Sequence, residues 1–217
     1  MNRCDCPSEL DEARVQPVLV AGAPRDRLLC VLGFETGLRI SELLGLRLGD
    51  IWQGGAPSVR VLRVTRNRLK SGRGERACSV RSRAVPLNSR ARLTLLEHFG
   101  RQVAPPKDAP LFPSREGGGR AITRRQATRI IRKIFLTAGC DTAGVWAGHS
   151  LRRRFVRRIF DATRDINITR EAVGHRYIAT TQLYLGLVEE EAHAAILAIG
   201  CLEPGTAPGG STMRDVV

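Results

Sequence analysis

GHRYIATTQLYLG, residues 174–186, holds both tyrosines of the chain, Tyr177 and Tyr184. The Thr180-Thr181 step between them predicts a helix start, because a threonine oxygen accepts the free backbone N–H groups of a first turn. Tyr184 then stands early on a short helix, with His175 at the entrance to the stretch. A phenol so placed either packs or attacks an electrophile, and the composition of the chain bears on which. Lys+Arg number 35 against 21 Asp+Glu in 217 residues, a formal net charge of +14. An excess of that size usually meets a polyanion. Nucleic acid leads over a ribosome-type structural role or a soluble basic enzyme. An anionic membrane surface ranks lower, since no basic amphipathic run adjoins an apolar anchor.

Hydrophobic residues make up 42% of the chain, enough for a packed core rather than a basic tail. No run of about 18 apolar residues is present, and MNRCDCPSEL at the N-terminus lacks the apolar centre of a signal peptide. The expected location is therefore the cytoplasm, in association with the nucleoid if the partner is DNA. Cys4, Cys6, Cys30, Cys78, Cys140 and Cys201 are scattered, and the single C-x-C pair lacks a second pair at zinc spacing. Free thiols are the expected state.

Immediately upstream of the opening stretch, Asn167 to Gly174 reads as a helical turn closed by glycine. Before it, GHSLRRRFVRRIF (148–160) reads as a helix with Leu151, Phe155, Ile159 and Phe160 as its core face. His149 and Arg152 are three residues apart and share one face of that helix. Thr123 caps an earlier helix whose apolar side is Ile130, Ile131, Ile134 and Phe135, leaving Arg124, Arg125, Arg129, Arg132 and Lys133 on the other. Residues 104–120, rich in proline and glycine, form a loop, and Ser89 opens a helix through Phe99. Residues 58–66 alternate Val59 and Val61 with arginines, a half-buried strand; Gly72-Arg73-Gly74 turns it back through Ala77 to Leu87, with Lys70 at the tip.

Nearer the start, Leu28, Leu29, Val31 and Leu32 mark one face of a helix ended at Thr36-Gly37. Ser41 is the expected N-cap of the next helix, so Arg39 is pinned between two helices. A further helix is expected within Ser8–Val20. Downstream of Tyr184, VEEEAHAAILAI (188–199) is an acidic and apolar amphipathic helix, and His98 and His193 read as solvated helix positions. The expected fold class is mainly α with a small antiparallel β-sheet.

TGLRISELLGL carries Arg39, NRLKSGRGER carries Lys70, GHSLR carries His149 and Arg152, VGH carries His175, and TTQLYLG carries Tyr184. In that order, with the tyrosine nine residues after His175, they resemble the catalytic domain of the tyrosine recombinases, the phage integrase family, over about residues 25–200. Residues 1–24 then form an N-terminal segment without the separate core-binding domain usual in the family, and residues 201–217 a disordered tail. The hairpin is longer than in many relatives, and Arg153 stands where they often carry histidine or threonine.

The resemblance implies a site-specific recombinase that cleaves and rejoins DNA through a 3′-phosphotyrosyl ester. Arg39 and Arg152 would clamp the non-bridging oxygens, since guanidiniums bind them bidentately and stay ionised. Tyr184 would be the nucleophile; a phenol with its ordinary pKa of about 10 keeps its proton at neutral pH and needs an acceptor. His149 and His175 would move protons and hydrogen-bond the phosphate, and Lys70 would protonate the leaving 5′ oxygen. The ester stores the bond energy, so no cofactor, ATP or metal is expected. Double-stranded DNA would be gripped by Arg124, Arg125, Arg129, Arg132 and Lys133, and by Arg153, Arg154, Arg157 and Arg158. Four subunits would act on two paired sites, with the 188–199 helix docking on a neighbour.

Each residue also has a plainer reading: Arg39 as a corner residue holding Glu42, Lys70 as a solvated hairpin charge, His149 and Arg152 as a buried polar pair, Tyr177 as packing. The joint order is what favours chemistry at Tyr184. The nearest alternatives are a type IB topoisomerase, with the same chemistry in a monomer, and a non-catalytic DNA-binding regulator of the same fold.

Overall fold

The computed structural model describes residues 4–52, 57, 60–64, 83–100, 106–115, 119–175 and 177–185. All belong to the first of two units into which the chain divides, Met1–Leu185 and Gly186–Val217. The elements run α1 (Glu9–Ala21), α2 (Pro24–Thr36), α3 (Ile40–Leu44), β1 (Val61–Val64), β2 (Arg83–Pro86), α4 (Ser89–Phe99), α5 (Arg124–Thr137), α6 (Gly148–Thr163), α7 (Ile166–Val173) and α8 (Ile178–Leu185). The chain is mainly helical with a small antiparallel sheet, as its pattern predicts. No helix among the described residues is long and apolar enough to cross a membrane.

Helix α2 is the axis of the unit. The sequence suggests one apolar face, yet every residue from Leu28 to Thr36 is buried, Glu35 included. A helix that is apolar nearly all round belongs at the centre of a fold, and α2 has a core on each side. On one side Leu28, Leu29 and Leu32 meet Leu43, Leu46, Leu62, Val85, Leu95 and Phe112. On the other, Cys30, Val31 and Phe34 meet Val15, Leu19, Ile131, Phe135, Trp146 and Leu151. Val15 and Leu19 come from α1, so the N-terminal helix is part of this second core rather than an appendage. Ser8 starts it by accepting the Asp11 N–H at 3.1 Å, while the Asp11 carboxylate accepts the Ser8 N–H at 3.0 Å.

The sheet pairs Leu62 with Val85 and Val64 with Arg83. Its phase differs from the expected one. Leu62 and Val64 point inward, whereas Val61 is 38% exposed. The Val61-Leu62 doublet interrupts the alternation, and because side chains alternate with period two, the inward Leu62 puts Val61 outside. The hairpin tip, with Lys70, Arg73 and Cys78, lies outside the described residues.

Helix α6 also presents a different inner stripe from the one expected. Leu151, Arg152, Arg154 and Val156 are buried, while Phe155, Ile159 and Phe160 are only partly so. It packs against α2, α5, α7 and α8, which leaves no single apolar stripe. Its approach to α2 is close: a Cβ on Gly33 would lie 2.6 Å from Leu151 Cδ1, and one on Gly37 would overlap the Phe155 ring.

A carboxylate network ties four helices together. Glu35, almost fully buried, accepts from Asn88 Nδ2 at 2.7 Å, Arg90 Nη1 at 3.1 Å and Arg158 Nη1 at 3.2 Å. Glu12 of α1 accepts from Arg154 Nε at 2.7 Å and lies 3.4 Å from Arg158 Nη1.

Gly37 ends α2 in the left-handed region at φ 57°. There a side chain costs about 1–2 kcal/mol from backbone sterics, and overpacking adds about 1–3 kcal/mol. Gly37→Ala is expected to lower the unfolding free energy by about 2–5 kcal/mol in urea titration; an unchanged midpoint would contradict the tight α2–α6 contact.

Candidate active site

The site grows from the corner that Gly37 creates. Leu38 is buried behind it, and Arg39 becomes the N-cap of α3, two residues before the expected Ser41. Glu42 takes the capping role instead: its buried carboxylate accepts the Arg39 backbone N–H at 2.8 Å and Arg39 Nη1 at 2.9 Å. One carboxylate thus starts the helix and aims the guanidinium. Arg39 keeps 31% of its side chain exposed, enough to meet a ligand.

The N-terminus of α6 is set against the same corner. A Cβ on Gly148 would lie 2.7 Å from the Cβ of Ile40, so only glycine permits this approach. His149 and Arg152, one turn apart, then project differently. His149 is exposed, and its Nδ1 lies 2.9 Å from the Tyr184 hydroxyl. Arg152 is completely buried. Its Nη1 donates to the carbonyl of Gly37 and its Nη2 to the carbonyl of Val173 at 3.2 Å.

Helix α7 starts at Asp165, whose Oδ1 accepts the Asn167 N–H at 2.6 Å, and ends at Gly174 with φ 69°. The left-handed glycine turns the chain so that His175, 6% exposed, points inward, its N–H donating to Arg170 O at 3.0 Å. His175 Nδ1 lies 3.0 Å from Thr181 Oγ1.

Helix α8 begins at Ile178, not at the Thr180-Thr181 step. Thr181 falls on its buried face one turn before Tyr184. The Tyr184 ring lies 5.0 Å from that of His175 and 6.3 Å from that of His149, centroid to centroid. The Arg152 guanidinium carbon sits 5.8 Å from the same centroid, within cation–π range. Tyr177, in contrast, is 62% exposed. His149, Arg152, His175 and Tyr184 therefore converge, with Arg39 at the neighbouring corner; Lys70 lies outside the described residues. A phenol beside a permanent cation and two imidazoles suits attack on an anionic centre, because the groups supply a proton acceptor and positive charge together.

The two expected DNA-gripping faces differ from each other. On α5, Arg124, Arg125, Arg129, Arg132 and Lys133 are all exposed, opposite buried Ala127, Ile131 and Phe135. No carboxylate among the described residues pairs with any of the five. On α6 every arginine expected on that face already has an internal acceptor. Arg153 donates to Cys4 O at 2.8 Å, Arg154 pairs with Glu12, Arg157 with Asp161 at 3.1 Å, and Arg158 with Glu35. For buried Arg154 the reason is positional, since a guanidinium inside the fold must find a carboxylate or a carbonyl, while Arg157 and Arg158 keep 36% of their side chains exposed.

His98, expected in solvent, is half-buried with its ring edge-on to Phe99 at 4.4 Å, and burial holds its imidazole below the ordinary value. Cys4, Cys6, Cys30 and Cys140 are free thiols, as expected. Three participants escaped the sequence pattern. The carbonyls of Gly37 and Val173 carry no sequence signal, and Thr181 offers only its T-x-x-Y spacing.

The model of the phage integrase family matches residues 10–191. Tyrosine recombinase XerC of Azotobacter vinelandii is 32% identical over 202 residues, covering 86% of this chain and 60% of its own. Tyrosine recombinase XerD of Caulobacter vibrioides is 30% identical over 196 residues, covering 85% and 59%. The chain thus spans little more than half the length of these relatives. Among solved structures, XerA recombinase superposes with a TM-score of 0.65 at 19% identity, over 92% of this chain and 64% of that one. XerH bound to its palindromic difH substrate, a post-cleavage complex, does so with 0.65 at 22%, over 92% and 54%. At such identity the superpositions establish a shared fold.

Glu42→Gln removes a charged acceptor shared by two donors, and hydrogen bonds to charged groups contribute about 1.5–3 kcal/mol each. A loss of stability of about 1.5–3 kcal/mol is expected, because the backbone N–H bond at the α3 start is not screened by solvent as a surface pair is. Chemical denaturation measures it; a variant as stable as the parent would contradict the capping role.

Proposed function

Because the chain belongs to the phage integrase family, we propose that it carries out DNA strand cleavage and rejoining in site-specific recombination. The observation that carries this reading is the 2.9 Å contact of the Tyr184 hydroxyl with His149 Nδ1, beside the buried Arg152. The scissile phosphate would dock at Arg39, whose side chain is 31% exposed. Arg152, covered in the DNA-free chain, would become its second guanidinium once DNA binding parts the groups over it. Together they hold the non-bridging oxygens as negative charge builds on them. Tyr184 Oη attacks phosphorus in line and its proton passes to His149. The bond from phosphorus to the 5′ oxygen breaks, and a 3′-phosphotyrosyl ester remains. By family resemblance Lys70 delivers the proton to the leaving 5′ oxygen. The reverse sequence, with a 5′ hydroxyl from another strand, seals the DNA and frees Tyr184.

Double-stranded DNA is the proposed partner. In the solved structures above it is XerH that is bound to its difH substrate, and the Tn1549 transposon integrase is likewise described in complex with DNA. In this chain the exposed cations of α5, unpaired among the described residues, suit the phosphate backbone, whereas Arg153, Arg154, Arg157 and Arg158 of α6 already have acceptors within the described unit. Exchange of strands requires two sites at once, so we extend the reading to four copies on two paired sites, with residues 188–199 docking on a neighbour.

A nicked duplex that loses its short 5′-hydroxyl fragment on cleavage traps the ester. Tyr184→Phe is expected to form no covalent complex, while Tyr177→Phe forms it at the parental rate; the opposite pattern would overturn the assignment. Relaxation of supercoils without strand exchange would favour a topoisomerase. Binding is expected to fall about 10³–10⁵-fold between 50 and 200 mM salt if about 6–10 phosphates are contacted. Changing Arg129 and Arg132 to Gln should reduce the slope of log affinity against log salt by about 2; an unaltered slope would remove α5 from the interface.

A further inference from the structure

Helix α8 carries the phenol, yet it has little to hold it. Of its eight residues only Thr181 and Leu185 are buried, and Leu183 is 58% exposed. With a single apolar anchor, Leu185, the rotation of this two-turn helix about its own axis depends on its polar contacts. Thr181 lies three residues before Tyr184, so both project from one side of the helix. Its hydroxyl is fully buried and meets His175 Nδ1 at 3.0 Å.

Through that bond the contacts form a closed ring. Arg152 holds the carbonyl of Val173, two residues before His175; His175 meets Thr181; and Thr181 shares a helix with Tyr184. Tyr184 returns to α6 through His149 Nδ1 and lies near the Arg152 guanidinium. The other links are a family catalytic group or backbone. Thr181 is the one side chain in the ring that the proposed chemistry does not use.

We propose that Thr181 is a positioning residue with two effects. It sets the rotation of α8, and so the aim of Tyr184, and it keeps His175 Nδ1 hydrogen-bonded whichever protonation state the ring is in. The tautomer of an imidazole is set by the bond its other nitrogen makes, and here that bond is to a hydroxyl rather than a carboxylate. A hydroxyl both donates and accepts. It can therefore stay bonded to Nδ1 whether that nitrogen carries a proton or not, whereas a carboxylate, an acceptor only, would require a proton there. This inference rests on the proposed strand cleavage for its kinetic consequence, though not for its structural one.

Thr181→Val keeps the shape and removes the hydroxyl; Thr181→Ser keeps the hydroxyl. With 15N-labelled histidine, NMR of the Val variant should show altered His175 ring-nitrogen shifts and an altered titration, and the Ser variant should match the parent. With the nicked duplex at saturation, Thr181→Val should cleave about 10–100-fold more slowly, the scale of a small misplacement of reacting groups. DNA affinity should be unchanged, the pH profile of the rate displaced, and the Ser variant close to parental. Parental His175 signals in the Val variant would overturn the inference, as would parental cleavage with an unmoved pH profile. If the parent itself formed no ester, the proposed function would fail, and the NMR comparison would still decide the role of Thr181.

Discussion

Arg152 is the group on which the described unit turns. A guanidinium with no exposure to solvent must have its donors met inside the protein, and two of the acceptors are main-chain carbonyls, of Gly37 and Val173. Both lie where a helix ends in a left-handed glycine, Gly37 closing α2 and Gly174 closing α7. The last carbonyls of a helix have no partner of their own and carry its partial negative charge. Two such ends are gathered around one cation, and the cation in turn fixes the two loops that lead to Arg39 and to His175. The residue proposed to meet the phosphate is thus also the one that assembles the loops around it.

The positive charge of the chain is divided by position. Arg154 and Arg158 of α6 face carboxylates of α1 and α2, where Glu12 and Glu35 pair with them. Arginines of α5 face water. One composition thus contains two populations, an internal one that joins helices and an external one left for a polyanion. Net charge alone does not separate them, since both add equally to +14.

Much of this was legible in the sequence because local rules suffice for it. The glycine stops at Gly37 and Gly174, the Thr123 cap and the His-x-x-Arg turn of α6 are each decided within four or five residues. Their order along the chain points to the candidate site. The misreadings share a different cause. Val61 turned outward, Arg154 turned inward, His98 became half-buried and Thr181 left its expected cap because in each case the neighbours come from elsewhere in the chain. Periodicity registers which residues share a face; it is silent on what packs against that face. A helix such as α6, contacted on several sides, is where that silence matters most.

The Glu12 contacts have a bearing on where this fold can be divided. Arg154 is nearly buried and Glu12 is its closest carboxylate, while Val15 and Leu19 fill the core beside Phe34 and Leu151. A fragment beginning at residue 25, where the family motifs begin, would leave a buried guanidinium uncompensated and a hydrophobic wall open, a combination that costs several kcal/mol. The described unit is therefore expected to fold by itself only from the Ser8 cap onward, well upstream of Arg39, the first residue proposed to touch DNA.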